Sequence, residues 1–340
     1  MKFAIIGGAG AIGSHLTDKC ISEEHEVKVL DSYLTVKREE VNMNPGAEYF
    51  EVDGTKIVDD DIEDADVIVN LAEITGLQEC EDNPEKILEN NVGVATRLMK
   101  VISDSGLQTT LKKIILVSSH SVYGDGSYYC PKCKKYVYRS RERHQLNTSC
   151  RCGTRFNVKP TSEMKPCIPQ SVYGVAGKAR EDITFMIQQR FQVPVVCLRV
   201  WNVYGSRIRN GMMAHFVNRI IHNEPIEIYE DGLQWRDFIH VHDVVSAIYL
   251  ASMKEDMNGE IFNVGTGNRA TILGIANMLI DKFGKGSIEK TGAFRDYDVR
   301  HIVSDVRKIR RHGYKTTIGL DGGIKETKLW LRRIGMIENI

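Results

Sequence analysis

The sequence predicts an α/β fold: a doubly wound parallel sheet with a smaller C-terminal lobe and a short cysteine-bearing insert. Three observations predict it. Apolar, β-branched runs alternate with amphipathic stretches through the first two hundred residues. Such runs suit strands buried on both faces and joined by helices. A glycine-rich turn, Gly7-Gly8-Ala9-Gly10-Ala11-Ile12-Gly13, lies between the first strand and the first helix. Finally, residues 127–160 interrupt the rhythm with Tyr, Lys, Arg and Cys and no long apolar pattern.

Taken in order, strands are expected at Phe3–Ile6, Val27–Asp31, Tyr49–Asp53, Asp66–Leu71, Lys113–Ser118 and Val193–Val200. Ile12–Ile21, Pro84–Ile102 and Tyr173–Phe191 carry the helical period between them. From about Asn202 onward, short strands, helices and loops mix, which suits a lobe over the sheet's C-terminal edge, where such folds bind ligands. The expected organisation is a cofactor domain over 1–201, containing the 127–160 insert and rejoined by 237–265. A substrate lobe then comprises 202–236 and 266–340.

Composition narrows the function classes. The 340 residues carry 45 Lys+Arg and 45 Asp+Glu, a net charge of zero. That excludes a bulk electrostatic hold on nucleic acid or an anionic membrane. No apolar run reaches the ~18–20 residues of a membrane span. The N-terminal apolar run dissolves at once into the glycine turn, so a cytoplasmic protein is expected.

The glycine turn suits a dinucleotide. Gly7, Gly10 and Gly13 stand at G-x-x-G-x-x-G spacing. They permit a tight turn, a close approach of backbone to pyrophosphate and close helix–sheet packing, with Ala11 and Ile12 opening the helix toward the phosphate charge. Asp31 ends the second strand, where a carboxylate takes the adenosine ribose hydroxyls and repels a 2′-phosphate. NAD is therefore favoured over NADP, and the fold reads as Rossmann-type. Asp53, ending the third strand, is either an adenine contact or a plain strand-end turn.

Of 8 Cys, four fall within 23 residues: Cys130-Pro-Lys-Cys133 and, after sixteen intervening residues, Cys150-Arg-Cys152. Four thiolates at such spacing suit tetrahedral, structural Zn²⁺ in a zinc-ribbon insert, because a segment this short needs a staple. Disulfides or free thiols are the alternative. The basic residues Lys134, Lys135, Arg139, Arg141 and Arg143 make this insert either a solvated face or a lid over the substrate.

Eight segments, in order, resemble an extended short-chain dehydrogenase/reductase acting on nucleotide sugars. They are Asn70-Leu71-Ala72-Glu73, Asn91-Val92-Gly93, Val117-Ser118-Ser119-His120-Ser121-Val122-Tyr123-Gly124, the run Glu163…Pro166…Pro169…Tyr173-Gly174, Arg199-Val200-Trp201-Asn202-Val203-Tyr204-Gly205, Arg236-Asp237-Phe238-Ile239-His240-Val241, Asn263-Val264-Gly265-Thr266-Gly267 and Asp298-Val299-Arg300. The nearest branch resembles the UDP-glucose 4-epimerase type. The cysteine insert, with Glu230-Asp231-Gly232-Leu233-Gln234-Trp235-Arg236-Asp237-Phe238, resembles the dTDP-L-rhamnose 4-epimerase subgroup.

The resemblance implies that Tyr173 accepts the proton of a sugar hydroxyl while hydride passes to NAD, and that Ser119 hydrogen-bonds the same hydroxyl. Leu71, Ala72 and Asn91 would lie along the cofactor, and Asn202, Arg236, Arg295 and Arg300 along the diphosphate of a UDP- or dTDP-linked sugar. A homodimer would pack through the helices around Pro84–Ile102 and Tyr173–Phe191. His120 and Ser121 stand where 4,6-dehydratases of this family place Asp-Glu, which favours epimerisation at C4 and leaves His120 as an acid/base or structural residue. A 4-dehydrogenase, a dehydratase, or a weakly catalytic NAD-binding protein with a zinc interaction module are the other readings.

One departure stands out. The family pattern is Y-x-x-x-K, but Gly177 occupies the Lys position and Lys178 follows it. At ~100° per residue, five steps turn Lys178 ~140° away from Tyr173. A slow enzyme, a π-bulge that swings Lys178 inward, and a replacement for the Lys elsewhere in the chain are three open explanations.

Overall fold

The computed structural model describes residues 1–35, 41–138 and 149–337, so Arg139, Arg141 and Arg143 lie outside the described residues. Its centre is a seven-stranded sheet: β1 (Lys2–Ile6), β2 (Glu26–Asp31), β3 (Glu48–Glu51), β4 (Val67–Asn70), β5 (Lys113–Ser119), β6 (Val195–Val200) and β7 (Ile261–Val264). The spatial order is β7-β6-β5-β4-β1-β2-β3 and every pairing is parallel. The order reverses beside β1, which opens a crevice at the C-terminal strand ends.

Alternation along the strands distributes the core. Phe3, Ile5, Val27, Val29, Val67, Val69, Ile115, Val117, Val196 and Leu198 face one side. There they meet Leu16 and Cys20 of α1 (Ala11–Ser22). Ala4, Ile6, Leu30, Ile68, Ile114 and Val195 face the other, against Val94, Leu98 and Ile102 of α2 (Gly93–Ser105) and Ile187 of α3 (Val172–Phe191). Successive side chains of a strand point to opposite faces, so each apolar run serves two layers. The α1 side is completed by Val244, Val245 and Ile248 of α4 (Val241–Met253). Lys113, buried at the start of β5, donates to the carbonyls of Ala251 (2.9 Å) and Lys254 (2.7 Å), closing the C-terminus of α4.

The expected helix over Pro84–Ile102 is present as continuous helical backbone, Pro84–Ile87 running into α2 through a wider π turn at Leu88–Val92. The wide turn carries Asn91, whose buried amide accepts from Ile74 N (2.8 Å) and donates to Ile74 O (3.0 Å), pinning the loop after β4.

A second core lies C-terminal to β6. Phe216 and Ile220 of the helix Met212–Ile221, Leu279 and Phe283 of Ile272–Phe283, and Ile324 and Leu331 of Leu320–Arg333 enclose it with Ile228 and Phe238. The insert forms a three-stranded antiparallel sheet: Ser127–Cys130 pairs with Lys135–Tyr138 and with Asn157–Lys159. Its small core is Tyr128, Cys130 and Phe156. Tyr128 donates to Asp125 (2.8 Å), and Thr161 N donates to Val303 O (2.7 Å), so the insert is rooted on the 301–305 segment.

Candidate active site

A groove of about 690 Å³ runs along the C-terminal ends of the strands, between sheet and second lobe. Gly7, Gly10, Ala11, Ile12, Gly13, Leu71, Ser119, His120, Tyr173, Asn202, Arg236 and Arg295 all line it.

The glycine turn at its floor is a steric necessity. A Cβ on Gly7 would lie 2.6 Å from Ala72 N, and one on Gly13 would lie 2.5 Å from Gly8 Cα. By contrast, a Cβ on Gly10 would meet only Gly7 O at 3.5 Å, so the N-terminus of α1 is open toward the groove. That bare, electropositive helix start suits a pyrophosphate. Ala72 packs beneath Gly7, as the reason that position 7 has no side chain.

Asp31 reaches the same turn, accepting from Ala9 N (2.9 Å) and Tyr33 N (2.8 Å). Burial lifts its carboxyl above the usual carboxylate range, and the two amides oppose that shift. A carboxylate has about four lone-pair sites, so bracing the loop leaves capacity for ribose hydroxyls. Asp31→Asn is expected to weaken NAD binding about 10–100-fold, the worth of a charge-assisted hydrogen bond, measured by calorimetric titration.

Of the two readings of Asp53, the strand-end turn is the one seen: it caps Gly54–Lys56, accepting from Thr55 N (2.9 Å) and Thr55 Oγ1 (2.7 Å). Other sequence expectations are corrected here. Asn91 holds the backbone at Ile74 and also stays out of the groove. Arg300 is committed elsewhere: its guanidinium binds Asp231 (2.7 and 2.6 Å) and Glu230 (3.1 Å). Helix α3 is α-helical throughout, with no bulge, and Lys178 ion-pairs with Asp182 one turn on. The lysine therefore does not reach Tyr173. None of the described insert residues lines the groove.

The polar wall of the groove is well ordered. Arg236 is buried and bonds Asp298 (2.7 Å) and Val299 O (2.7 Å), while Asn202 Nδ2 donates to Asp237 O (2.9 Å). Asp237 is a scaffold, not an ion-pair partner of its neighbour; it accepts from Thr266, Gly267 and Ser304. Arg295 stacks over the Tyr229 ring at 4.7 Å. Arg207 also lines the groove, ion-paired to Asp18 of α1 at 2.8 Å. No motif flagged it; its place follows from Ser206, whose carbonyl meets His15 of α1 at 3.1 Å.

Tyr173 comes from the first turn of α3, which Ser171 caps by accepting from Gly174 N at 3.1 Å. Gly174 is glycine because a Cβ there would lie 2.6 Å from Ser121 O. Deeper in the helix, Glu181 accepts from Ser118 (2.7 Å) and from Arg199 (2.9 and 2.6 Å), bolting α3 to β5 and β6. Ser119 Oγ meets Ser121 Oγ at 3.2 Å. His120 stacks on Trp201 at 5.5 Å and its Nδ1 lies 3.3 Å from Val200 O. A carbonyl only accepts, so Nδ1 carries the proton. Burial pulls the imidazole down to about 4, aided by Arg236, and His120 is neutral at pH 7.

The Tyr173 phenol donates to Glu73 Oε2 at 3.0 Å, and Glu73 Oε1 lies 2.6 Å from Arg180 Nη1. Burial, then the Glu73 charge, push the phenol well above its ordinary range; Ser119 and Arg180 oppose them. Sequence reasoning assigned no role to Glu73 or Arg180. A signal was present: Arg180 stands seven residues, two turns, beyond Tyr173 and within ~20° of it around the helix.

The four insert sulfurs lie within 4.8 Å of one another, Cys130 and Cys152 at 3.6 Å, Cys133 and Cys150 at 3.8 Å. Cys133 N points to Cys130 Sγ at 3.3 Å. Tetrahedral thiolates at ~2.3 Å from zinc stand ~3.8 Å apart, so the spacing fits a shared ion and is far beyond an S–S bond. Among the described helices, none is long and apolar enough to cross a membrane.

Comparison with known proteins agrees with this geometry. The chain is 27% identical to a dTDP-L-rhamnose 4-epimerase of Burkholderia thailandensis, over 97% of this chain and 94% of the relative. It superposes with a TM-score of 0.80 on the UDP-glucose 4-epimerase of Thermotoga maritima solved with UDP-glucose, at 26% identity, covering 98% of this chain and 99% of that one. The UDP-glucose 4-epimerase of Thermus thermophilus, solved with NAD, gives a TM-score of 0.78 at 25% identity, covering 98% and 99%. Residues 3–265 match the model of one family, and the chain belongs to it: the NAD dependent epimerase/dehydratase family.

Proposed function

We propose that this chain is an NAD-dependent nucleotide-sugar 4-epimerase acting on a UDP- or dTDP-linked sugar. The observation that carries the reading is one groove with the glycine turn at one end, Tyr173 and Ser119 at its centre and Arg236 and Arg295 along its wall. Gly7, Gly10, Gly13 and Asp31 would hold the NAD, which when bound accepts a hydride from sugar C4 and returns it. Ser119 orients the C4 hydroxyl, and Tyr173 takes its proton and gives it back. Turning the keto-sugar between the two transfers inverts C4 with no net redox change. His120-Ser121 supply no carboxylate for eliminating water, which favours epimerisation over dehydration. Incubation with UDP- and dTDP-hexoses, read by proton NMR, tests this: a C4-inverted product is expected, and an accumulating 4-keto sugar would indicate a dehydrogenase or dehydratase.

The cysteine cluster is read as a structural zinc site, since four thiolates leave no open position for catalysis. A strong chelator is expected to lower the melting temperature by 5 °C or more, on the order of 3–4 kcal/mol for a chain of this length, and to leave KM within about twofold because none of the described insert residues lines the groove. A rise in KM would favour the lid reading. A homodimer through the helices around Pro84–Ile102 and Tyr173–Phe191 is also proposed; Val175 of α3 is exposed. A cytoplasmic location goes with this reading.

A further inference from the structure

We propose that Glu73 is the terminal proton acceptor of a Tyr173–Glu73 relay, with Arg180 as the buried cation that holds the carboxylate in place of the missing lysine at position 177. The inference rests on the reading of Tyr173 as the group that meets the sugar hydroxyl.

Three residues from two distant segments converge. Glu73 follows β4 and lines the groove, Tyr173 opens α3, and Arg180 is the largest fully buried side chain among the described residues. Tyr173 donates to one Glu73 oxygen at 3.0 Å, and Arg180 stands 2.6 Å from the other. No other ion pair engages Arg180 among the described residues, and its Nε and Nη2 have no acceptor there. A cation buried this way, at ~20 kcal/mol of idealised desolvation, is kept only for its partner. Gly177 contributes no charge; a Cβ on it would meet only Val122 Cγ1, at 3.2 Å.

The hydrogen bond fixes the direction of proton flow. Because the phenol donates to a carboxylate, its oxygen offers lone pairs to the groove. When the sugar C4–OH loses its proton to Tyr173 Oη, the proton already on Oη moves to Glu73 Oε2. The C4–H electron pair leaves as hydride to the oxidised nicotinamide, and C4 becomes a ketone. Tyr173 is neutral before and after, so no phenolate need persist in a site where burial and a neighbouring carboxylate oppose one. Return of hydride reverses each transfer. The groups facing this pair are Arg180, Ser119, Glu81, which accepts from Val172 N at 2.7 Å, and Cys80, whose thiol burial and the nearby acids push up to about 12. Among the described residues, Glu73 is the carboxylate to which the tyrosine donates.

The test compares Glu73→Gln, Glu73→Asp and Tyr173→Phe in the NAD-loaded enzyme, with tyrosine ¹³Cζ NMR of the unloaded protein beside it. Glu73→Gln keeps a hydrogen-bond acceptor for Tyr173 but takes no proton. A kcat at least 100-fold lower with KM within threefold is expected, with Glu73→Asp at least tenfold faster than Glu73→Gln. In the NMR, the resonance lost in Tyr173→Phe is expected to follow a carboxylate titration in the wild type and not in Glu73→Gln. Glu73→Gln within threefold of wild-type kcat, or Glu73→Asp no faster than Glu73→Gln, or no carboxylate step in the wild-type resonance, overturns the relay. Full activity of Tyr173→Phe overturns the underlying reading and the relay with it. An inactive Tyr173→Phe beside a fully active Glu73→Gln overturns the relay alone.

Discussion

Tyr173→Phe is expected to lower kcat about 10²–10⁴-fold, the usual worth of a positioned general base, while NAD and nucleotide-sugar affinities stay within a few-fold. The substitution removes only the hydroxyl. The ring still packs beside Ile74, Ala176 and Val172, and the Ser171 cap of α3 is untouched. What is lost is the oxygen between groove and carboxylate, so Glu73 retains its Arg180 partner and the fold is held. Stopped-flow reduction of the bound nicotinamide separates binding from chemistry, and a kcat within threefold of wild type would remove Tyr173 from the reaction.

Arg199→Met is expected to cost about 3–5 kcal/mol of unfolding free energy, the penalty for stranding one member of a buried ion pair. Arg199 and Glu181 are both nearly inaccessible, at 3% and 1% side-chain exposure, so water cannot replace the lost guanidinium. Ser118 alone would remain to satisfy the carboxylate. Arg199 also lies over the Tyr123 ring at 4.6 Å, so packing between β6 and the turn after β5 is lost with the charge. The double variant Arg199→Met, Glu181→Met is expected to recover most of the loss, since an apolar pair of similar size carries no stranded charge. Urea unfolding of both proteins measures this; equal stability of the single variant and wild type would contradict it.

The legible parts of this molecule were local ones. Gly7, Gly10 and Gly13 announce themselves because the turn, the strand before it and the helix after it are contiguous. Cys130, Cys133, Cys150 and Cys152 are legible for the same reason, with the knuckle contact of Cys133 N set by spacing alone. β1, β4, β5 and β6 follow from apolar runs, because burial on both faces leaves little choice of residue, whereas β2 and β3, toward the sheet edge, are partly exposed. The seventh, β7, lies within the 237–265 segment expected to rejoin this domain, and its place at the sheet edge comes from its pairing with β6.

Residues whose work depends on distant partners were misjudged. Arg300 looked like a phosphate ligand until Glu230 and Asp231, seventy and sixty-nine positions away, neutralised it. Asn91 was expected along the cofactor, but its amide is spent on the backbone of Ile74, seventeen positions away. Glu73 and Arg180 are 107 residues apart (180 minus 73), and neither is unusual in its own segment. The hints were the glycine at 177 and the seven-residue spacing that sets Arg180 under Tyr173. Lys178, the nearest cation in sequence, turned to Asp182 as its five-residue offset dictates.

Incubating the NAD-loaded protein with UDP- and dTDP-hexoses and following sugar C4 by proton NMR tests the central claim most directly. The account predicts a mixture of C4 epimers, reached from either epimer, with total NAD⁺ unchanged at equilibrium. Nucleotide sugars left unchanged, or a 4-keto sugar accumulating as NADH builds up, would contradict it.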